Sequence, residues 1–282
     1  MKKHWTLSLL ALLIQAPAFA GVVYEIETTD HEQSPPKVES IEMAAEGRHL
    51  KMGIGGGSQN TKGDMIFRGD RREVVVVDHD QKSYMVMDRE QMQAIAGQVN
   101  SALSQMQEAL KNVPADQRAI VEKMMKERMP QQPQSQAPRR PASELKKTSE
   151  RATHNGYPCI KYEVHQNGKK LRELWVTDWK NVEGSSEVAQ TFEDMADFFR
   201  EMMDSFSSLA GAAGGGPLPF GSGDNFFEHI KDLDGFPVVT KEFAEDGSLE
   251  GEGALRSARR QTIDPDAFEP PSGYKRQEMP GF

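Results

Sequence analysis

The chain has one cysteine, Cys159, in 282 residues. No intramolecular disulfide can form, so the fold must rest on an apolar core even in an oxidising compartment. Aromatic residues make up only 7% of the sequence, so that core has to be assembled mostly from aliphatic side chains and methionine. No run of apolar residues reaches the roughly 20 that a membrane-spanning helix takes. Positive charge is in deficit as well, with 34 Lys and Arg against 43 Asp and Glu. Such a balance repels nucleic-acid phosphates, whose recognition needs clustered Lys and Arg. The short pairs Arg139-Arg140, Lys146-Lys147 and Arg259-Arg260 stand among polar residues and read as solvated surface.

The signatures of common chemistries are also missing. There is no Gly-x-Ser-x-Gly elbow for a serine hydrolase. Gly53, Gly55, Gly56 and Gly57 are not followed by Gly-Lys-Ser/Thr, so they do not make a phosphate loop. Gly214 to Gly216 follow a predicted helix, which is the wrong polarity for cradling an anion. The histidines His31, His49, His79, His154, His165 and His229 are scattered singly, and no metal site reads from their spacing. Asp194 and Asp197 read as solvated acids of a helix face. Cys159 falls in a predicted strand with no activating base beside it, as a buried, inert thiol does. No catalytic residue, metal or cofactor is therefore assigned, and a non-enzyme is expected.

What is present begins with an export signal. Lys2 and Lys3 precede an apolar run from Leu7 to Ile14, and Ala18-Phe19-Ala20 supplies small residues before a cleavage point. Residues 1–20 read as a signal peptide cleaved after Ala20, which places the mature chain in the periplasm. Cleavage would expose Gly21 rather than a cysteine, so no lipid anchor is expected.

Beyond it the pattern is that of strands. Two-residue alternation covers 22–28, and further strands are predicted at 37–45, 48–54, 64–68, 72–78 and 83–88. Asn155-Gly156 and Asn167-Gly168 are strong hairpin signals, since both central residues of a type I′ turn need positive φ. They join strands at 145–153, 157–165 and 170–177, and Asp246-Gly247 joins 237–245 to 248–258. The expected fold is mainly β: a single domain, 21–282, with an antiparallel sheet of about eleven strands, one face wet and the other covered by helices.

Two segments change period. Residues 89–144 read as a helical insertion, with a stripe from Met92 to Val113, a second helical piece at 120–125 and a Pro/Gln-rich loop at 130–141. A second helix, capped by Ser185 or Ser186, carries Val188, Phe192, Met195, Phe199, Met202, Phe206 and Leu209 at three- and four-residue steps and ends at Gly211. Its Phe and Met can repack around varied shapes. With the glycines that follow as a hinge, it reads as a mobile lid.

Methionine is in excess at 15. Thioethers can bind Cu(I), and Met85-Val86-Met87 sets two on one strand face. Adaptable apolar packing explains the same residues, because they sit among Phe, Leu and Ile.

Two stretches resemble a known family. Asn155-Gly156-Tyr157-Pro158-Cys159-Ile160-Lys161-Tyr162-Glu163-Val164, followed by Glu173-Leu174-Trp175-Val176, is similar to the central motif of the bacterial domain-of-unknown-function 4412 family. Phe268-Glu269-Pro270-Pro271-Ser272-Gly273-Tyr274-Lys275 resembles that family's closing segment. The resemblance implies a curved half-barrel like that of periplasmic lipoprotein carriers, with helices on its concave face. It brings no catalytic residues.

The reading reached is a monomeric, non-enzymatic periplasmic protein binding an apolar or amphiphilic ligand such as a lipid. The expected pocket wall is Phe192, Met195, Phe199, Met202 and Phe206, with Trp175 and Tyr162 on the sheet. The alternatives are a filled-core module that recognises another envelope protein and, third, a methionine-rich copper site.

Overall fold

The computed structural model describes residues 21–54, 62–91, 143–213 and 229–278, with isolated positions between 93 and 105, and for 203–213 the backbone alone. The expected signal peptide at 1–20, the helical piece at 120–125, the loop at 130–141 and the glycines at 214–216 lie outside these residues, as does most of the stripe between 92 and 113.

The protein is mostly β. Twelve strands among the described residues join in one open sheet. The first six are β1 (Gly21–Asp30), β2 (Lys37–Glu46), β3 (His49–Ile54), β4 (Gly63–Arg68), β5 (Glu73–Asp78) and β6 (Ser83–Met87). Later in the chain come β7 (Glu144–His154), β8 (Tyr157–Gln166), β9 (Lys169–Thr177), β10 (Phe236–Phe243), β11 (Leu249–Gln261) and β12 (Lys275–Arg276). The spatial order is β12-β6-β5-β4-β3-β2-β1-β11-β10-β9-β8-β7. The sheet is thus two meanders stitched side by side through the long β1–β11 pair. That pairing joins the start of the described chain to its end, and no local turn signal could announce it.

The hairpin turns follow from residue type. Asn155 and Gly156 take φ of 50° and 86°, and Asn167 and Gly168 take 53° and 79°, the double positive φ of a type I′ turn. Two expectations need correction. The sheet is not wholly antiparallel, because β12 runs parallel to β6. Backbone bonds from Lys275 N to Lys82 O (3.0 Å) and from Gln277 N to Tyr84 O (2.8 Å) hold it. A two-residue strand carries no alternation, so sequence periodicity cannot reveal it. Nor is the sheet wet on one whole face. Val23, Ile66, Val75, Val77 and Val86 form a second core on the side of β1–β6 away from the helix, covered by Ile263 and Phe268. Every residue of β4 is buried for that reason.

One long helix, α1 (Ser185–Ala213), packs on the other face. Val188, Phe192, Met195, Phe199 and Met202 are all buried there with Tyr24, Met43, Leu50 and Phe67 of the sheet. Phe198 meets Phe67 at 6.0 Å between ring centroids and Phe192 meets Phe236 at 6.1 Å. The chain enters α1 through Gly184, whose φ is +68° and where a Cβ would overlap Val22, so only glycine fits. Ser185 does not cap the helix as its position suggests; it is the first helical residue and its hydroxyl donates to the Trp179 carbonyl. The helix also continues through Gly211 to Ala213. No helix among the described residues is long and apolar enough to cross a membrane.

Polar contacts fasten α1 along its length. Arg260 of β11 binds Glu187 in the first turn and Glu183 just before it (2.6 Å). Thr191 donates to the Gly47 carbonyl at 2.8 Å, and Arg48 pairs with Asp194 at 2.6 Å. Lys231 pairs with Asp197, and Arg72 reaches Glu201 at 2.8 Å. So Arg260, expected as plain solvated surface, clamps the helix start.

Candidate functional site

Between the first half of α1 and the sheet lies a cavity of about 750 Å³. Strands β2, β1, β11 and β10 lie side by side beneath it, and their register arranges its lining in tiers. Deepest are Met43 of β2 and Phe236 of β10, roofed by Phe192 and Met195 of α1 and flanked by Trp179 and Ile230. The next tier is apolar too, with Ile26 paired to Ile41 on one side and to Leu255 on the other. One step outward Thr28 stands between Glu39 and Gly253, and Gly253 faces Thr240. The outermost tier runs Lys37, Asp30, Gly251, Glu242 and Arg172. Strands β2, β1 and β10 therefore pass from apolar to charged as they leave the protein, while β11 passes from Leu255 to glycine. The cavity has a greasy end under the helix and a charged mouth.

Two glycines make the floor of that mouth. Gly251 and Gly253 lie two apart on β11, so both present their missing side chains to the same face. A Cβ at Gly253 would meet nothing within 4 Å. Glycine inside a strand weakens it and marks close approach of a ligand or another backbone. Here the space above it is the cavity.

The mouth's ion pairs are uneven. Lys37 pairs with Glu39 at 2.7 Å, and the buried Arg172 pairs with Glu242 at 2.9 Å. Asp30 accepts from the backbone of Glu32 (2.9 Å) and from the Gln33 amide (2.7 Å). Among the described residues Asp30, Glu32 and Glu250 have no cationic partner.

The residues expected to form the wall are dispersed by the fold. Phe192 and Met195 line the cavity. Phe199 and Met202 are buried further along α1, in the packed core beyond it. The side chain of Phe206 lies outside the described residues. Tyr162 shares a face with Val164, a cavity residue, but packs with Leu174 and Leu233 and donates to Asp234 at 3.1 Å. Trp175 occupies the alternate position of β9. Its indole donates to Glu173 at 2.9 Å, with Lys161 5.8 Å from the ring centroid and the His154 ring tilted against it at 4.4 Å. By strand alternation it faces away from the cavity. The periodicity of α1 identified its buried stripe but could not tell which part of the stripe borders empty space. The floor glycines went unread, although Gly-Glu-Gly inside a strand was the available signal.

Other polar clusters are structural in form. Ser143 Oγ lies 2.8 Å from His229 Nε2, but Asp232, the remaining member of a triad, is 3.6 Å from Nδ1 and two-thirds exposed. A triad carboxylate orients its histidine from a buried hydrogen bond, which this pair does not make. Buried Asp64 collects Lys51 at 2.9 Å and His79 at 3.2 Å. Cys159 is buried with Sγ 3.3 Å from the Tyr157 carbonyl, and burial pushes its thiol pKa up. Burial likewise raises the Tyr24 phenol, which lies under the start of α1. Met85 and Met87 face Val76 and Val74, with Met87 buried among apolar neighbours. Among the described residues no group of three or more His, Cys, Asp or Glu could hold a metal.

No family model matches the chain. No curated protein matches it either. Among solved structures it is similar to an uncharacterized conserved protein from Thermus thermophilus, at 6% identity and a TM-score of 0.42, over 92% of this chain and 90% of that one. It is also similar to PNGF-II, at 11% identity and a TM-score of 0.36, over 92% of this chain and 31% of that one. The chain thus spans about a third of the length of PNGF-II. Neither likeness carries an inference about activity.

Proposed function

We propose that this chain is an exported, periplasmic binding protein whose sheet is a half-barrel and whose cavity under α1 takes an apolar or amphiphilic molecule. The observation that carries this reading is the cavity itself. Its 750 Å³ falls within the roughly 300–1,000 Å³ usual for small-molecule sites, and a mostly apolar lining with a few polar groups at one end is their usual chemistry. Export is supported by the charged, apolar, small-residue order of residues 1–20. The motifs at 155–164 and 268–275 support membership of the domain-of-unknown-function 4412 family, and with it the half-barrel shape.

The reading does not need α1 to move as a lid. The helix is fastened by Arg260, Thr191, Arg48 and Lys231, and the charged mouth offers an entry route along the glycine floor. The test is native mass spectrometry of protein purified from the periplasm, followed by solvent extraction. A discrete adduct of lipid-like mass that the solvent removes is expected. Protein that carries no adduct, and takes none up when offered lipid extract, would reject the reading.

A further inference from the structure

We infer that the molecule held in this cavity is a cationic amphiphile, with an ammonium or similar group at the mouth and its apolar body under α1. This rests on the proposed binding role and specifies its ligand class. The first ground is the gradient: four adjacent strands pass together from Met43, Ile26, Leu255 and Phe236 to Lys37, Asp30, Gly251 and Glu242, so one ligand end meets apolar surface and the other meets charge. The second ground is the sign of that charge. Five acidic side chains stand at the cavity mouth, from Asp30, Glu32, Glu39, Glu242 and Glu250, against Lys37 and Arg172, while Glu252 takes the alternate position of β11 and pairs with Lys241 at 3.7 Å.

Both cations are already engaged, Lys37 by Glu39 and Arg172 by Glu242. An anionic headgroup would have to break one of those pairs and settle among carboxylates. An ammonium group finds Asp30, Glu32 and Glu250 without cationic partners among the described residues. The third ground is room: no side chain rises from Gly251 or Gly253, so a bulky headgroup can lie on the backbone between Asp30 and Glu242. Opposite charge placed where the ligand docks selects between headgroups, and a headgroup of like charge is repelled.

The experiment compares three probes with the same twelve-carbon body: dodecylammonium, dodecanol and dodecanoate, at submicellar concentration, by calorimetric titration. The panel is wild type, Glu32→Gln/Glu250→Gln at the mouth, and Asp80→Asn/Asp266→Asn at exposed positions in the β5–β6 turn and in the segment after β11. Dodecylammonium is expected to bind about tenfold tighter than dodecanoate, equivalent to about 1.4 kcal/mol. The preference should shrink in about 0.5 M salt, where screening leaves a reach of only a few ångströms. It should also shrink in the mouth variant and persist in the distal one. Equal binding of all three probes would overturn the charge inference and leave the binding role standing. An equal loss in both variants would overturn it too, by assigning the preference to net surface charge. Failure of every probe to bind would remove the binding role and the inference with it.

Discussion

The phenol oxygen of Tyr274 lies 3.0 Å from Nδ1 of His79, and Nε2 of the same ring lies 3.2 Å from the buried carboxylate of Asp64. One histidine therefore ties the closing segment of the chain to the turn after β5 and to β4. Next to it, Glu269 pairs with Arg68 and Arg71, and Phe268 seals the second core. The short parallel strand β12 follows directly from this anchoring.

Tyr274→Phe is expected to cost about 0.5–1.5 kcal/mol, the usual worth of one hydrogen bond. The loss should be local. Hydrogen exchange should quicken at Lys275, Gln277 and β6 and stay unchanged in β8 and β9. Unchanged exchange at β12 would show that Tyr274 does not hold it.

Glu187 has its carboxyl held below the ordinary value of 4.5, chiefly by the hydrogen bond from Arg260. A depressed carboxyl contributes stability that is present above its unfolded pKa and lost as pH falls through the folded one. Wild type should therefore be more stable than Glu187→Gln at pH 7, by less than about 1 kcal/mol for so exposed a pair. The two denaturation midpoints should converge as pH drops below about 4. A gap that stays constant down to about pH 2 would mean that Arg260 does not clamp the helix through charge.

Cys159 should be silent. It is 3% exposed, and burial holds the thiol's pKa up, so little thiolate forms and little reagent reaches it. Iodoacetamide should leave the native protein unmodified near neutral pH and alkylate it in denaturant. Rapid native labelling would show that the hairpin around Tyr157 opens.

Much of this architecture was legible because it is local. Alternation, together with the turn signals between segments, located eleven strands to within a few residues. Asn155-Gly156 and Asn167-Gly168 fixed two hairpins, because φ > 0 at consecutive positions leaves few alternatives. The stripe of α1 was equally plain. What escaped depends on contacts distant in sequence: the β1–β11 seam, the C-terminal cover over Val75 and Ile66, and the parallel β12. The cavity escaped in part for the same reason. A stripe of Phe and Met looks identical whether it faces packed core, as Phe199 does, or open space, as Met195 does. Trp175 was misleading for a related reason, since Leu174 and Trp175 are both apolar and alternation could not say which pointed inward.

Phe192 and Phe199 separate cavity from core. Phe199→Ala should cost about 3–5 kcal/mol, the range for an aromatic removed from packed surroundings. It should leave ligand affinity unchanged in protein that is still folded. Phe192→Ala borders space already empty, so it should cost less and weaken or alter binding. Similar effects from both, by thermal melts and titration together, would mean that the helix has no distinct pocket half.

The most direct measurement fills the cavity. Gly253 lies on its floor with open space where a side chain would go, and its φ is not among the positive values, so Gly253→Phe can be made without backbone strain. Wild type and variant are titrated with a neutral naphthylamine fluorophore, and their thermal midpoints are compared. The account predicts saturable, one-to-one binding by wild type, at least about tenfold weaker binding by Gly253→Phe, and melting temperatures within a few degrees of each other. No binding by wild type, or equal binding by the two proteins, would contradict it.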